Sequence, residues 1–281
     1  MAITEKVWYK LNTEHITQEG YHPVQEWIKD RIIEAGQLAI AHRQDGLRIS
    51  TKTDGTPVTS ADLAVDTFLY DAIRTECPDD GILTEERPDP SNRLDKRRVW
   101  IVDPIDGTSS YLAGTDLWGI LLACCEDGVP ALAAAHFPEL GLTLLAEAGG
   151  SCDLNGRTVR VSQTPIERSR VTCLGNGFKD IWPRQHPGRF PALELVRLAA
   201  GEFEGVVIRA GNNCGEHDYA WAGCAIEAAG GVITDETGAS LRFNRPNRAM
   251  PPFIVASNGR IHEALLQALA AALPRSTTSS P

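Results

Sequence analysis

The chain of 281 residues has little that would tie it to nucleic acid, to a membrane or to an oxidising compartment. Its 27 lysines and arginines are outnumbered by 37 acids, leaving a formal charge of −10. Neutralising nucleic-acid phosphates takes clustered cations, so polymers of that kind are excluded as partners. No run approaches the ~18–20 apolar residues that a membrane-spanning helix needs. The opening Met-Ala-Ile-Thr-Glu-Lys has no apolar core of signal-peptide length either. The seven cysteines (Cys77, Cys124, Cys125, Cys152, Cys173, Cys214 and Cys224) are odd in number and form no Cys-x-x-Cys pair. Zinc binding and a disulfide framework are thereby disfavoured, and a reducing cytoplasm is the expected compartment.

What is there centres on Val99-Trp100-Ile101-Val102-Asp103-Pro104-Ile105-Asp106-Gly107-Thr108-Ser109-Ser110-Tyr111. Its apolar, β-branched opening predicts a buried strand, which the two acids, the proline and the glycine bring to an end. Asp103 and Asp106, with the Ile105 carbonyl between them, can present an all-oxygen ligand set of the kind that magnesium selects. Pro104 fixes its own φ, so the set is ordered before anything binds. The run Gly107-Thr108-Ser109 predicts a helix start, where N–H groups and the helix dipole favour an anion. Cation ligands beside an anion nest suggest a phosphate held against a metal. Taken alone, Asp-x-x-Asp serves equally well to cap the helix that follows.

From Pro23 a stripe of Val24, Ile28, Ile32, Ala35 and Ala39 predicts a long amphipathic helix ending before Asp45-Gly46. Asp54-Gly55 and Thr56-Pro57 mark a turn. Thr59 or Ser60 then caps a second helix carrying Leu63, Phe68, Leu69 and Ile73. Asp62 falls in its first turn, where the dipole favours any acid. Gly81 to Thr84 predicts a short strand closed by Glu85 and Glu86, a pair that reads equally as a solvated edge. Trp118–Cys125, Pro130–Phe137 and Leu142–Ala148 predict an antiparallel meander. Asn155-Gly156, between Ser151–Leu154 and Arg157–Ser162, is a hairpin signal.

The loop from Gly175 to Arg189 is rich in Pro, Gly, Arg and His, and suits a domain junction or a substrate-facing segment. Its Gly175-Asn176-Gly177 lacks the third glycine of a dinucleotide-binding turn. A helix over 192–200 and a strand over 205–209 follow. Next come a small-residue helix with Asp218 at its start and Gly230-Gly231 as its stop, and strands at Val232–Thr234 and Phe253–Ala256. Ser257 is expected to cap the last helix, which runs through Leu273.

Asp103-Pro104-Ile105-Asp106-Gly107-Thr108 closely resembles the signature of the inositol monophosphatase family. These are lithium-sensitive, magnesium-dependent phosphatases that also include bisphosphate nucleotidases and fructose bisphosphatases. Thr59-x-x-Asp62, the Glu85-Glu86 pair, the Asn155-Gly156 hairpin and Asp218 ahead of an Ala-rich helix ending Glu227-Ala228-Ala229-Gly230-Gly231 stand in the family's order. The resemblance runs from about Val24 to the last helix. It implies an α/β and α+β layered sandwich of αβαβα type. An N-terminal α+β half with an antiparallel sheet, residues 23–163, would hold most metal ligands, and a C-terminal α/β half would span 164–273. A polar extension (1–22) and a disordered tail (274–281) would flank them.

The resemblance also implies a magnesium-dependent hydrolase of phosphate monoesters, holding two or three ions. Asp103 would bridge, with Glu85 and the Ile105 carbonyl on one side and Asp106 and Asp218 on the other. Asp62 and Thr108, with Glu85, would activate the attacking water. Gly107, Thr108 and Ser109 would hold the phosphate, while Asp106, Arg189, His217 and Asp218 would face the rest of the substrate. The expected substrate is a small inositol, sugar or nucleotide phosphate, and the expected assembly is a homodimer.

Four positions depart from the family pattern, and the last two of them bear on the substrate. Thr84 stands where relatives usually have Gly or Ser, and His217 where they have Trp. Arg189-Phe190-Pro191-Ala192 replaces Gly-Ser-Ala-Ala, and Gly211 replaces a sugar-binding glutamate seven residues before the metal aspartate. The Arg189–Ala192 stretch and Gly211 point away from inositol. An arginine beside an aromatic could hold a second phosphate or stack on a base; Phe190 serves equally as core. Two other classes fit poorly: aspartyl-phosphate enzymes use Asp-x-Asp, and an EF-hand needs acids spread over a twelve-residue loop. A non-catalytic protein that binds phosphorylated ligands remains as the rival, and a nucleotidase acting on bisphosphorylated nucleotides as the alternative enzyme.

Overall fold

A computed structural model describes residues 23–52, 55–175, 181–211 and 214–273. The extension 1–22, the tail 274–281, Asp54 of the predicted turn and residues 176–180 of the long loop lie outside them. Helices α1 (Pro23–Asp45) and α2 (Ser60–Glu76) flank a small antiparallel pair, β1 (Ile49–Thr51) and β2 (Pro57–Thr59). Seven strands follow: β3 (Gly81–Thr84), β4 (Arg98–Asp106), β5 (Gly119–Glu126), β6 (Val129–Phe137), β7 (Leu142–Glu147), β8 (Cys152–Leu154) and β9 (Arg157–Thr158). They form one sheet in chain order, with the short helix α3 (Thr108–Leu112) between β4 and β5. The second sheet contains β10 (Val171–Leu174), β11 (Gly205–Arg209), β12 (Val232–Asp235) and β13 (Phe253–Ser257), ordered β10-β11-β13-β12. Helices α4 (Pro191–Ala199), α5 (Glu216–Ala228) and α6 (His262–Ala272) complete the described chain.

Strand alternation sorts the core into layers. Along β4, Trp100 and Val102 join α1 and α2 on one face of the large sheet, while Val99 and Ile101 turn to the other face. There they meet α4, α5 and one face of the small sheet, through Val206, Ile208, Ile254 and Ala256. The intervening Val207 and Val255 face away and pack with Leu265 and Leu269 of α6. Successive residues pointing to opposite faces thus build helix, sheet, helix, sheet, helix. The apolar runs of β4, β11 and β13 are continuous because both faces of each strand are covered.

The predicted α1 stripe is fully buried, and Thr59 is the N-cap of α2, its hydroxyl accepting from the N–H groups of Ala61 and Asp62. Asn155 and Gly156 both have positive φ, as a two-residue hairpin turn requires. Two expectations need correction, those for Leu63 and Ser257, and the sheets add detail of their own. Leu63 is 51% exposed; the buried stripe runs through Asp62, Val65, Asp66, Leu69 and Ile73, and Leu63 points away from it. The large sheet is not wholly antiparallel, because the long connection from β3 returns the chain to lie parallel beside it as β4. The small sheet has one parallel pair, β10 with β11, its other pairs being antiparallel. Ser257 does not cap a helix: it closes β13, paired with Gly205 and Val232, and a turn through Gly259 to Ile261 precedes α6. Its hydroxyl instead accepts from the Gly259 N–H and bonds His262 Nδ1.

No described helix is long and apolar enough to cross a membrane. Leu265 is fully buried between α6 and the small sheet. Leu265→Ala is expected to cost about 2–5 kcal/mol of stability, read as a lower urea midpoint at unchanged slope.

Candidate active site

The site forms where β3 and β4 end side by side. Thr84 pairs with Val102, so Glu85 emerges next to Asp103, its N–H donating to the Val102 carbonyl (3.2 Å). Pairing of β4 with β5 is regular as far as Asp103–Leu121 and resumes at Asp106–Gly119 after an irregularity. Pro104 lies inside this interruption, where a residue with no N–H to donate costs the ladder nothing. The break lets two carboxylates of one strand converge.

Asp103 lies on the face that meets α5, and α5 brings the partners. Its small residues allow close approach: a Cβ on Gly223 would stand 3.1 Å from Pro130. Its first turn is fixed by the fully buried Glu216, which accepts from the N–H groups of Asn244 (2.8 Å) and Arg245 (3.0 Å). Arg93, also buried, reaches Asn244 Oδ1 (2.6 Å) and the Arg245 carbonyl (2.9 Å), tying the same segment to the loop before β4. Asp218 is held by the Gly215 N–H (2.7 Å).

Two groups of potential ligand atoms result, and within each the atoms lie no more than 4.8 Å apart. One contains Asp103, Asp106 and Asp218; the other contains Glu85, Asp103 and His217. Asp103 belongs to both. It is 1% exposed, and its Oδ1 is buried with no hydrogen-bond donor. A buried, unsatisfied carboxylate oxygen is costly, and a cation is the partner that would satisfy it. Burial and the neighbouring charges of Glu85, Asp106 and Asp218 push the Asp103 carboxyl well above its ordinary range. Asp106 is raised well above it by burial, Asp218 and Glu85, against the opposing Gly107 N–H. Asp218 is raised by burial, with His217 and the Gly215 N–H pulling the other way. Such an all-oxygen, mutually repelling set fits a hard divalent cation such as magnesium.

Asp62 approaches from α2. Its Oδ2 takes the Thr59 N–H (2.9 Å) and the Thr59 hydroxyl, leaving Oδ1 to face the Thr108 hydroxyl at 3.3 Å. The Thr108 hydroxyl is also 3.2 Å from the Ile105 carbonyl. Gly107, with φ +84°, starts α3, and a Cβ there would meet the Leu117 carbonyl at 2.7 Å. Only glycine makes this corner without strain. Ser109 is exposed on α3. Arg189 lies at the rim, paired with Asp116 at 3.1 Å and half-exposed, while Phe190 packs over Gly107 and against Phe137.

The sequence reading missed Lys52, Glu216 and Arg93. Lys52 Nζ sits 2.6 Å from Glu85 and 2.7 Å from Glu86, so the Glu-Glu pair is not a solvated edge. The ammonium is held charged by these two acids. Burial and Glu85 push Glu86 up to about 7, against Lys52. A lone lysine before a turn gives no signal of this in a sequence.

Each raised carboxyl binds its proton more tightly in the folded chain than in the unfolded one. Without a cation, that contribution is fully present below the ordinary carboxylate pKa and is lost as pH rises through the raised values. Asp106→Asn is therefore expected to raise the Tm of metal-free protein at neutral pH, the gain vanishing towards about pH 4. A Tm lowered at neutral pH would contradict the repulsion.

The profile of the inositol monophosphatase family matches residues 21–275. A histidinol-phosphatase of Mycobacterium tuberculosis is 33% identical over 260 residues, covering 83% of this chain and 95% of that protein. A 3'(2'),5'-bisphosphate nucleotidase of Aggregatibacter actinomycetemcomitans is 35% identical over 244 residues, covering 80% and 90%. A solved IMPase of Thermotoga maritima superposes with a TM-score of 0.73 at 26% identity, over 88% of this chain and 96% of that one. With the profile spanning nearly the whole chain and such relatives matching most of their length, the chain belongs to the inositol monophosphatase family.

Proposed function

We propose that the protein is a magnesium-dependent hydrolase of a small phosphate monoester. The observation that carries this is the sharing of Asp103 by two groups of ligand atoms, with its Oδ1 buried and lacking a donor. In this reading Asp103 would serve both metal positions, with Glu85 and the Ile105 carbonyl able to hold an ion on one side and Asp106 and Asp218 on the other.

Bound magnesium supplies charge neutralisation at the phosphoryl oxygens and lowers the pKa of water. The chain's own residues do the rest. Asp62 Oδ1 accepts the proton of the attacking water, its orientation held from Oδ2 by Thr59 and its position shared with the Thr108 hydroxyl. Glu85 keeps its place through Lys52. The turn through Gly107, Thr108 and Ser109 presents its backbone to the phosphate. Attack of water on phosphorus then breaks the bond to the leaving oxygen, which takes a proton from a second water while Asp62 returns its own to solvent, releasing an alcohol and phosphate.

Arg189 contacts the remainder of the substrate in this reading. Its pairing with Asp116 leaves that rim without net positive charge, which favours a substrate with a single phosphate and a polar or cationic body. The histidinol-phosphatase relative supports that class. The nucleotidase reading is kept on the 35% identical relative, with Arg189 leaving Asp116 to hold a second phosphate. A cytoplasmic, lithium-sensitive homodimer belongs to this proposal through resemblance to the family.

Phosphate release from histidinol phosphate, 3′-phosphoadenosine 5′-phosphate, inositol 1-phosphate, fructose 1,6-bisphosphate and nucleoside monophosphates tests it, with magnesium, without magnesium and with lithium. Magnesium-dependent turnover of one class is expected; silence from protein shown to bind magnesium favours the binding-protein rival. Asp103→Asn is expected to fold and lose nearly all turnover. Arg189→Ala is expected to raise KM for the true substrate with less change in kcat, and an unchanged KM would remove Arg189 from the site.

A further inference from the structure

The two groups of ligand atoms differ in kind: three carboxylates make one, and two carboxylates with an imidazole make the other. We propose that His217 is a direct nitrogen ligand to a metal held with Glu85 and Asp103, giving one half of the centre a preference for manganese-type ions over magnesium. The proposal rests on the metal-dependent reading above and assigns His217 to the metal rather than to the substrate.

Four observations lead there. A ring nitrogen of His217 and one oxygen each of Glu85 and Asp103 lie within 4.8 Å of one another, a spread compatible with a single ion bound at about 2.0–2.3 Å by each. The side chain is only 12% exposed, and its Nδ1 is buried with no hydrogen-bond partner. An imidazole nitrogen left unmet in that position costs free energy unless something takes its lone pair or its proton. Asp103 Oδ1 is buried and lacks a donor too, so two residues of this group, on separate elements, each carry an unmet polar atom.

Backbone geometry makes the placement possible. His217 and Asp218 are neighbours in the first turn of α5, with His217 Nε2 3.4 Å from Asp218 Oδ2. They nonetheless fall in different groups, His217 with Glu85 and Asp218 with Asp106, and Asp103 belongs to both. Gly215 leaves room for the ring, since a Cβ there would lie 2.6 Å from His217 Cε1. Glu216, locked by Asn244 and Arg245, fixes the turn that carries both residues.

The chemistry follows from the donor. A neutral imidazole adds a ligand without adding negative charge to a centre already crowded with carboxylates. Imidazole nitrogen suits transition metals, whereas magnesium keeps to oxygen, and manganese, which shares magnesium's carboxylate ligands, is the transition ion that such a mixed set would take. Among the described residues, no other histidine lies in either group.

The test uses the full chain loaded with manganese and read by pulsed electron paramagnetic resonance. The wild type should show nitrogen hyperfine modulation on manganese, which changes in form when the protein is labelled with 15N-histidine. His217→Ala should still bind manganese through its carboxylates, lose the modulation, and weaken manganese binding by about tenfold or more while magnesium binding changes less. Manganese bound without nitrogen modulation in the wild type, or with modulation kept in the variant, overturns the ligand assignment and leaves the phosphatase reading standing on its own turnover test. Failure to bind manganese or magnesium at all overturns both. The 15N-histidine arm needs no variant, so a His217→Ala protein that did not fold would leave the test intact.

Discussion

Mutual repulsion among crowded carboxylates is the constraint on which the rest of the structure depends. Asp106, Asp218 and Glu85, each partly exposed, gather around the buried Asp103, and burial with their neighbours' charges raises all three aspartates above their ordinary range. A chain left to itself would splay such groups apart. Here they are anchored on elements that cannot move independently: two adjacent parallel strand ends, and a helix start locked by Glu216 and Arg93. The strain of holding like charges together is opposed by the packing of whole layers, and a bound cation would relieve it.

Those layers explain why the site sits where it does. The large sheet is covered on one face by α1 and α2 and on the other by α4 and α5. Asp62 comes from a helix on the first face and Asp218 from a helix on the second. Only at the end of β4, where the ladder with β5 is interrupted, can groups from both faces meet. The interruption around Pro104 is thus the opening through which the two sides reach one another.

Much of this was legible beforehand, for identifiable reasons. The α1 stripe, the meander and the Asn155-Gly156 hairpin rest on short-range periodicity and turn chemistry, which local sequence carries. Asp103, Asp106 and Thr108 were legible because one turn of chain holds them. Leu63 was misplaced because two buried acids, Asp62 and Asp66, occupy the stripe that apolar residues alone should have marked; Asp66 is there because Arg87 pairs with it. Ser257 was misread because serine suits a cap and a strand end alike.

By itself the sequence determined the order of the main helices and the meander strands, the buried stripe of α1 and the acids carried at the end of β4. Their local rules act over a few residues, through strand alternation, helical period and backbone-restricted turns. Only the tertiary structure decided that Lys52 would stand between Glu85 and Glu86, that Arg93 would fasten the start of α5, and that His217 would share a place with Glu85 and Asp103. Each of these joins residues far apart in the chain. Long-range electrostatic and packing contacts form only after the layers close, and no short stretch of sequence encodes them.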